Sequence, residues 1–166
     1  MITTSPVRKA RPGDRDEVLY ICKQDHLENG QFSLSVPKLE HKVSDILDGN
    51  GGIIGIIERG HGVEAIIMMQ IAQFWYTDDW CLEETLNYVR PEFRRSTNAK
   101  DMIAFGKRCS DEINIPLVIG VVSNERTKAK MDLYRRQLGE PCGGYFVYSK
   151  RPFLKSAAIA EPAVAG

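Results

Sequence analysis

The stretch Val89-Arg90-Pro91-Glu92-Phe93-Arg94-Arg95-Ser96-Thr97-Asn98-Ala99-Lys100 constrains this chain most. A strand pattern, Thr85 to Val89, runs into it. A helix pattern runs out of it, with Ala99, Met102, Ile103, Cys109 and Ile113 at the spacing of one apolar helix face. A strand, a polar turn and a helix in this order aim the unpaired N–H groups of the first helical turn at whatever rests on the turn. The helix dipole adds partial positive charge there, and Arg94 and Arg95 add full charges. An anion, most simply a phosphate or pyrophosphate, is the ligand this arrangement suits. A capped helix start with solvated arginines would carry the same pattern.

Around this stretch the chain alternates helices and strands. Val7 to Ala10 reads as a short strand, followed by a turn at Pro12-Gly13-Asp14 with Asp14 as helix cap. A helix to about Glu28 is expected to bury Val18, Ile21, Cys22 and Leu27. A second helix, Pro37 to Leu47, buries Leu39, Val43, Ile46 and Leu47. Three strands follow: Ile53 to Glu58, Val63 to Phe74, and Leu82 to Val89, the first two joined by the turn Arg59-Gly60-His61-Gly62. After the long helix, Leu117 to Val122 reads as a strand covered on both faces. Ser123 or Asn124 caps a helix through Leu138, which Gly139 stops. Gly143 to Ser149 reads as a last strand. Residues 1–150 form one domain on this reading. From Arg151 the chain is rich in Ala and Pro, a tail that stays mobile unless a partner holds it.

Two of these segments resemble the GNAT superfamily of acyltransferases. The first is the turn itself, Arg94-Arg95-Ser96-Thr97-Asn98-Ala99, which is similar to the family's acetyl-CoA loop, Arg/Gln-x-x-Gly-x-Gly/Ala, with Thr97 where the family has Gly. The second is Leu133-Tyr134-Arg135-Arg136-x-Leu138-Gly139, on the helix after the fifth strand. The order of elements over residues 6–149 also resembles the family's.

The resemblance implies an α/β fold: a mixed, mainly antiparallel central sheet flanked by about four helices. It implies acetyl-CoA as cosubstrate, held by Tyr88, Val89, Arg94, Arg95, Ser96, Thr97, Asn98, Ala99 and Lys100, with Asn124 as a further contact. Asn124 stands ten residues before Tyr134, about one helical turn farther than is usual. The Tyr134 hydroxyl would protonate the leaving thiolate. A strand N–H between Leu86 and Val89 would stabilise the oxyanion.

A base is also required, and Glu83 and Glu84 stand on the strand that leads to the loop. By strand alternation Glu83 faces with Thr85, Asn87 and Val89. A carboxylate buried there would have a raised pKa and could take a proton near neutrality. Both glutamates also fit solvated strand-start positions, and Tyr134 also fits a core residue with its hydroxyl at the rim. Asp78, Asp79, Glu83 and Glu84 lie near Trp75, Tyr76 and Trp80. They would favour a cationic amine if they line the acceptor side, or form an ordinary hairpin tip.

The implied activity is direct transfer of acetyl to a primary amine, on a small molecule or a protein. The alternative is a GNAT-fold module without catalysis that binds CoA or a partner protein. Either could be a homodimer. Lys plus Arg and Asp plus Glu are equal at 22 each among 166 residues, which argues against a general nucleic-acid or membrane binder. Cys22, Cys81, Cys109 and Cys142 form no Cys-x-x-Cys pair, and the three histidines have no ligand spacing, so no metal is expected. The opening Met1 to Pro6 lacks the apolar run of a signal peptide, and no apolar stretch approaches the about 20 residues of a membrane helix, which points to the cytoplasm.

Overall fold

A computed structural model describes residues 6–150. The expected tail, 151–166, lies outside the described residues.

The elements in chain order are β1 (Arg8–Lys9), α1 (Arg15–Asn29), α2 (Val36–Leu47), β2 (Gly52–Arg59), β3 (Gly62–Gln73), β4 (Trp80–Val89), α3 (Asn98–Ile113), β5 (Leu117–Val118) and α4 (Thr127–Leu138). Single 3-10 turns at Pro12–Asp14 and Pro91–Phe93 lead into α1 and toward α3. The five strands form one sheet in sequence order. Neighbours from β1 to β4 are antiparallel, and β5 runs parallel to β4. This is the mixed, mainly antiparallel α/β architecture the sequence implies.

Each face of the sheet carries a dry layer. Val18, Ile21 and Cys22 of α1 and Val43 and Ile46 of α2 pack on Ile54, Ile56, Ile66, Met68, Leu86 and Tyr88. Met102, Phe105 and Cys109 of α3 pack on Ile57, Ala65, Ile67, Met69 and Leu82 of the opposite face. Strand alternation divides β3 cleanly: Ile66 and Met68 serve the first layer, Ile67 and Met69 the second.

Local chemistry sets the boundaries. Ser35 Oγ accepts from Lys38 N and caps α2. The β2–β3 turn needs Gly62, whose φ is 103°. Asn114 ends α3 in the left-handed region with φ 54°. Gly139 ends α4 with φ 94°.

The structure corrects several expectations. Leu27 is 76% exposed, while its neighbours Glu28 and Asn29 turn inward, Glu28 to Tyr88 of β4 and Asn29 to a buried position. Asp14 does not cap α1 with its side chain; both carboxylate oxygens go to the Arg8 guanidinium, and Oδ2 also accepts from Arg11 N. The expected strand Leu117 to Val122 is regular over Leu117–Val118 alone, with its apolar residues half-buried and Val122 exposed. Residues 143–149 form no strand, and Tyr145, Phe146 and Tyr148 are exposed. No helix among the described residues is long and apolar enough to cross a membrane.

Candidate active site

The register of β3 against β4 decides which side chains meet. Met68 pairs with Leu86 and Met69 pairs with Glu84, so Thr85 is an extra residue, a bulge. Thr85 Oγ1 donates back to Met68 O. The bulge reverses the facing of every residue before it. Leu82 therefore joins the α3 layer while Leu86 and Tyr88 join the α1 and α2 layer, although simple alternation would put all three together. Glu84, opposite Met69, shares a face with Asn87, opposite Ile67. Glu83 lies opposite Gln70, accepts from Gln70 Nε2 at 2.6 Å, and Gln70 in turn accepts from Lys42 of α2. The expectation that Glu83 faces with Asn87 and Val89 is thus overturned by one inserted residue.

At the end of β4, a cleft of about 270 Å³ opens between that strand, the start of α3 and α4, bordered by β4 residues of both faces. Tyr88, Val89, Arg94, Ser96, Ala99 and Lys100 line it from the strand and the turn. Tyr134 and Lys130 line it from α4, and Arg126 from the position just ahead of that helix. These three are four residues apart, the spacing of one helix face. That spacing is visible in the sequence, but only Tyr134 is an expected site residue. Glu28, Asn87 and Arg136 also border the cleft without having been expected there.

The turn end of the cleft is built for an anion. Ser96 Oγ donates to Phe93 O and accepts from Asn98 N, which shapes the turn. The first N–H with a backbone partner in α3 is that of Asp101, bonded to Thr97 O. Those of Ala99 and Lys100 stand ahead of it at the positive end of the helix. Arg94, Lys100, Arg126, Lys130 and Arg136 surround the space, against the single carboxylate of Glu28. Arg94 is held from three sides: Nε donates to Val89 O at 2.9 Å, Nη2 pairs with Glu28, and the guanidinium lies over the Tyr88 ring. Tyr88 Oη also donates to Glu28, and burial first, then this carboxylate, pushes its pKa up to about 12.

At the other end Tyr134 is 9% exposed, and its hydroxyl accepts from Asn87 Nδ2 at 3.1 Å. Burial, and then the charge of Glu84, raise its pKa, so it is a phenol at any ordinary pH. Burial pushes Glu84 itself up to about 8; Lys130 and a backbone hydrogen bond from Gly120 pull the other way, and Asp25 adds to the rise.

The remaining expected residues lie elsewhere. Arg95 and Thr97 are exposed, and Thr97 Oγ1 donates to Asp101 at 2.7 Å. Asn98 is fully buried, and its Nδ2 donates to Glu64 at 2.8 Å. Asn124 accepts from Gln31 and donates to Glu28 O, so it fastens the end of α1. The aromatics of the β3–β4 tip do not fold on the core: Trp75 is 94% exposed, and Phe74 and Trp75 both pack on Tyr76. Cys142 is exposed and the other three cysteines are buried, all as free thiols. Among the described residues, no group of three or more His, Cys, Asp or Glu could hold a metal ion.

No protein-family model matches the sequence, and no curated protein matches it. Solved structures do. A predicted acetyltransferase of Clostridium acetobutylicum, solved with acetyl-CoA, superposes with a TM-score of 0.71 at 19% identity, covering 86% of this chain and 94% of that one. The aminoglycoside N-acetyltransferase AAC(6')-Iy, in complex with a bisubstrate analog of CoA, superposes with a TM-score of 0.68 at 17% identity over 88% of this chain and 97% of that one. A "possible acetyltransferase" of Clostridium difficile 630 gives 0.65 at 22% identity, over 88% and 96%. These likenesses establish the fold: the chain has the GNAT-like fold that these structures share.

Proposed function

We propose that this chain transfers acetyl from acetyl-CoA directly to a primary amine on a small molecule or a protein. One observation carries the reading: the cleft that offers five basic side chains and the start of α3 also holds the Tyr134 phenol. The basic end fits the pyrophosphate of a CoA thioester, the only reactive group the reaction draws from outside the amine. Arg94, Ser96, Ala99 and Lys100 would hold it.

Each remaining task falls to a residue of this chain. Tyr134 supplies the proton that a departing thiolate needs, and its raised pKa keeps that proton in place until then. A strand N–H between Leu86 and Val89 would polarise the acyl oxygen. Glu84 is the base. It shares a face of β4 with Asn87, which borders the cleft, whereas Glu83 is turned toward α2 and already engaged with Gln70. A carboxylate with a pKa near 8 is a stronger base than an ordinary glutamate and is still partly ionised at neutral pH. Direct transfer is the reading that needs no covalent intermediate, and among the described residues none of the four cysteines is in the cleft lining.

One observation favours the noncatalytic alternative, a CoA-binding module. Glu28 already neutralises Arg94, which reduces what that arginine offers an anion. Thiol release from acetyl-CoA with monoamines, polyamines and lysine peptides decides between the two. Amine-dependent release supports the transferase; tight acetyl-CoA binding with no release supports the module. The aminoglycoside substrate of AAC(6')-Iy makes polyamines and aminosugars the first amines to try.

A further inference from the structure

Among the described residues one buried side-chain atom lacks a hydrogen-bond partner, Asn87 Oδ1. Asn87 is 9% exposed and borders the cleft. Its other amide atom is engaged, since Nδ2 donates to Tyr134 Oη. A buried amide oxygen without a partner destabilises the folded state, and an apolar residue of the same size would remove that cost. The surroundings would accept one: Ile67 lies opposite Asn87 on β3, and Val89 follows on the same face of β4. Packing therefore does not explain the asparagine. Lys130, Arg94 and Arg126 border the same cleft, yet none of them donates to Oδ1.

An amide oxygen can only accept, so its partner must bring an N–H or O–H. The cleft's basic end selects an anionic ligand, and on the functional reading above, on which this inference rests, that ligand is a CoA thioester. Between its pyrophosphate and its sulfur lies a pantetheine arm with two secondary amides. An arm that runs from the start of α3 to Tyr134 passes Asn87. We propose that the Asn87 side chain is a recognition site for the pantetheine arm, with Oδ1 accepting an amide N–H, while Nδ2 holds the Tyr134 hydroxyl as an acceptor and leaves its proton free for the sulfur. One amide thereby sets the position of the acyl donor and the direction of the acid together.

The test compares two ligands by calorimetry on the full chain: CoA, and adenosine 3',5'-diphosphate, which has no pantetheine arm. In Asn87→Leu the affinity for CoA is expected to fall about five- to tenfold, the loss of one neutral hydrogen bond, while the affinity for the diphosphate is unchanged. Asn87→Leu also leaves the Tyr134 hydroxyl without its donor, so the variant is expected to unfold more easily than the parent, and the split between the two ligands, not stability, carries the test. Asn87→Thr suits a strand, stops short of the Oδ1 position, and should show the same split if the Leu variant does not fold. Equal affinity of parent and variant for CoA overturns the assignment, and so does an equal loss for both ligands, which would mean a distorted cleft. A parent chain that binds neither ligand overturns the functional reading and this assignment with it.

Discussion

Arg94 Nη2 lies 2.5 Å from Glu28 Oε2, so the turn before α3 is tied across the cleft to the last turn of α1. Both side chains are partly exposed, and the pair is therefore a modest clamp whose main effect is on the charge of the cleft. Glu28→Gln removes the one lining carboxylate and leaves five basic groups. CoA should then bind about threefold more tightly at low salt, with the gain fading as salt is raised. Arg94→Ala should weaken CoA binding about tenfold, the value of one charge-assisted hydrogen bond. Titration calorimetry of both variants checks the pair. Weaker binding in both would mean that the clamp acts only as a strut.

The bulge at Thr85 makes a sharp distinction between adjacent glutamates. Glu84→Gln should lower turnover about a hundredfold or more, the usual share of a general base, whereas Glu83→Gln should leave it nearly unchanged. In the parent, turnover should rise with pH through about 8 as Glu84 ionises. Stability runs the opposite way. The folded-state pKa of Glu84 is raised from 4.5, so the folded chain holds this proton more tightly than the unfolded chain does. Its contribution is fully present below pH 4.5 and is lost as pH rises through about 8. Melting curves of Glu84→Gln across that window should show a weaker fall than those of the parent. Identical pH–rate profiles for parent and Glu84→Gln would remove Glu84 as base.

Tyr134→Phe deletes one oxygen, but it also leaves Asn87 Nδ2 without its acceptor. The variant should therefore unfold about 1–3 kcal/mol more easily, the cost of an unpaired buried donor. Acetyl-CoA should still bind. Turnover should fall about a hundredfold, and the fall should shrink with acyl donors whose thiols are more acidic, because those thiolates need less help. A loss of equal size for every donor would assign Tyr134 to positioning.

The Asn98 side chain ties the start of α3 to Glu64. Glu64 is 2% exposed; burial opposes its charge, and hydrogen bonds from Asn98 and His61 with the charge of Arg59 overcome this and hold its pKa below the usual carboxylate range. Asn98→Ala should destabilise the fold by about 1.5–3 kcal/mol, the value of a hydrogen bond to a charged group. Denaturant unfolding measures this. CoA affinity of the folded variant should be within about threefold of the parent, less than the loss of one charge-assisted contact.

The sequence made most of the framework legible, because periodicity reports which side of an element is dry. The β2 to β4 run, the amphipathic α3 and the Arg94 turn follow from it directly. Where a single residue shifts the period, the pattern misleads. Thr85 reads as an ordinary strand residue, yet as a bulge it exchanges the faces of Glu83 and Glu84. Asn98 looks like a turn residue, but its role depends on Glu64, which is 34 residues away in sequence. The clamp from Glu28 to Arg94 spans 66 residues and leaves no local signal. After Val118 the apolar runs Ile119 to Val122 and Tyr145 to Tyr148 have strand composition, but they acquire no ladder among the described residues. Composition there reports what a backbone could pair, and a partner strand decides whether it does.

Acyl transfer at the cleft is read out by thiol release from acetyl-CoA at pH 8. Release is expected to depend on added primary amine, to saturate with it, and to drop about a hundredfold in Tyr134→Phe, the contribution of a general acid. Release that no amine in the panel accelerates, from a parent chain shown by calorimetry to bind acetyl-CoA, would contradict acyl transfer there.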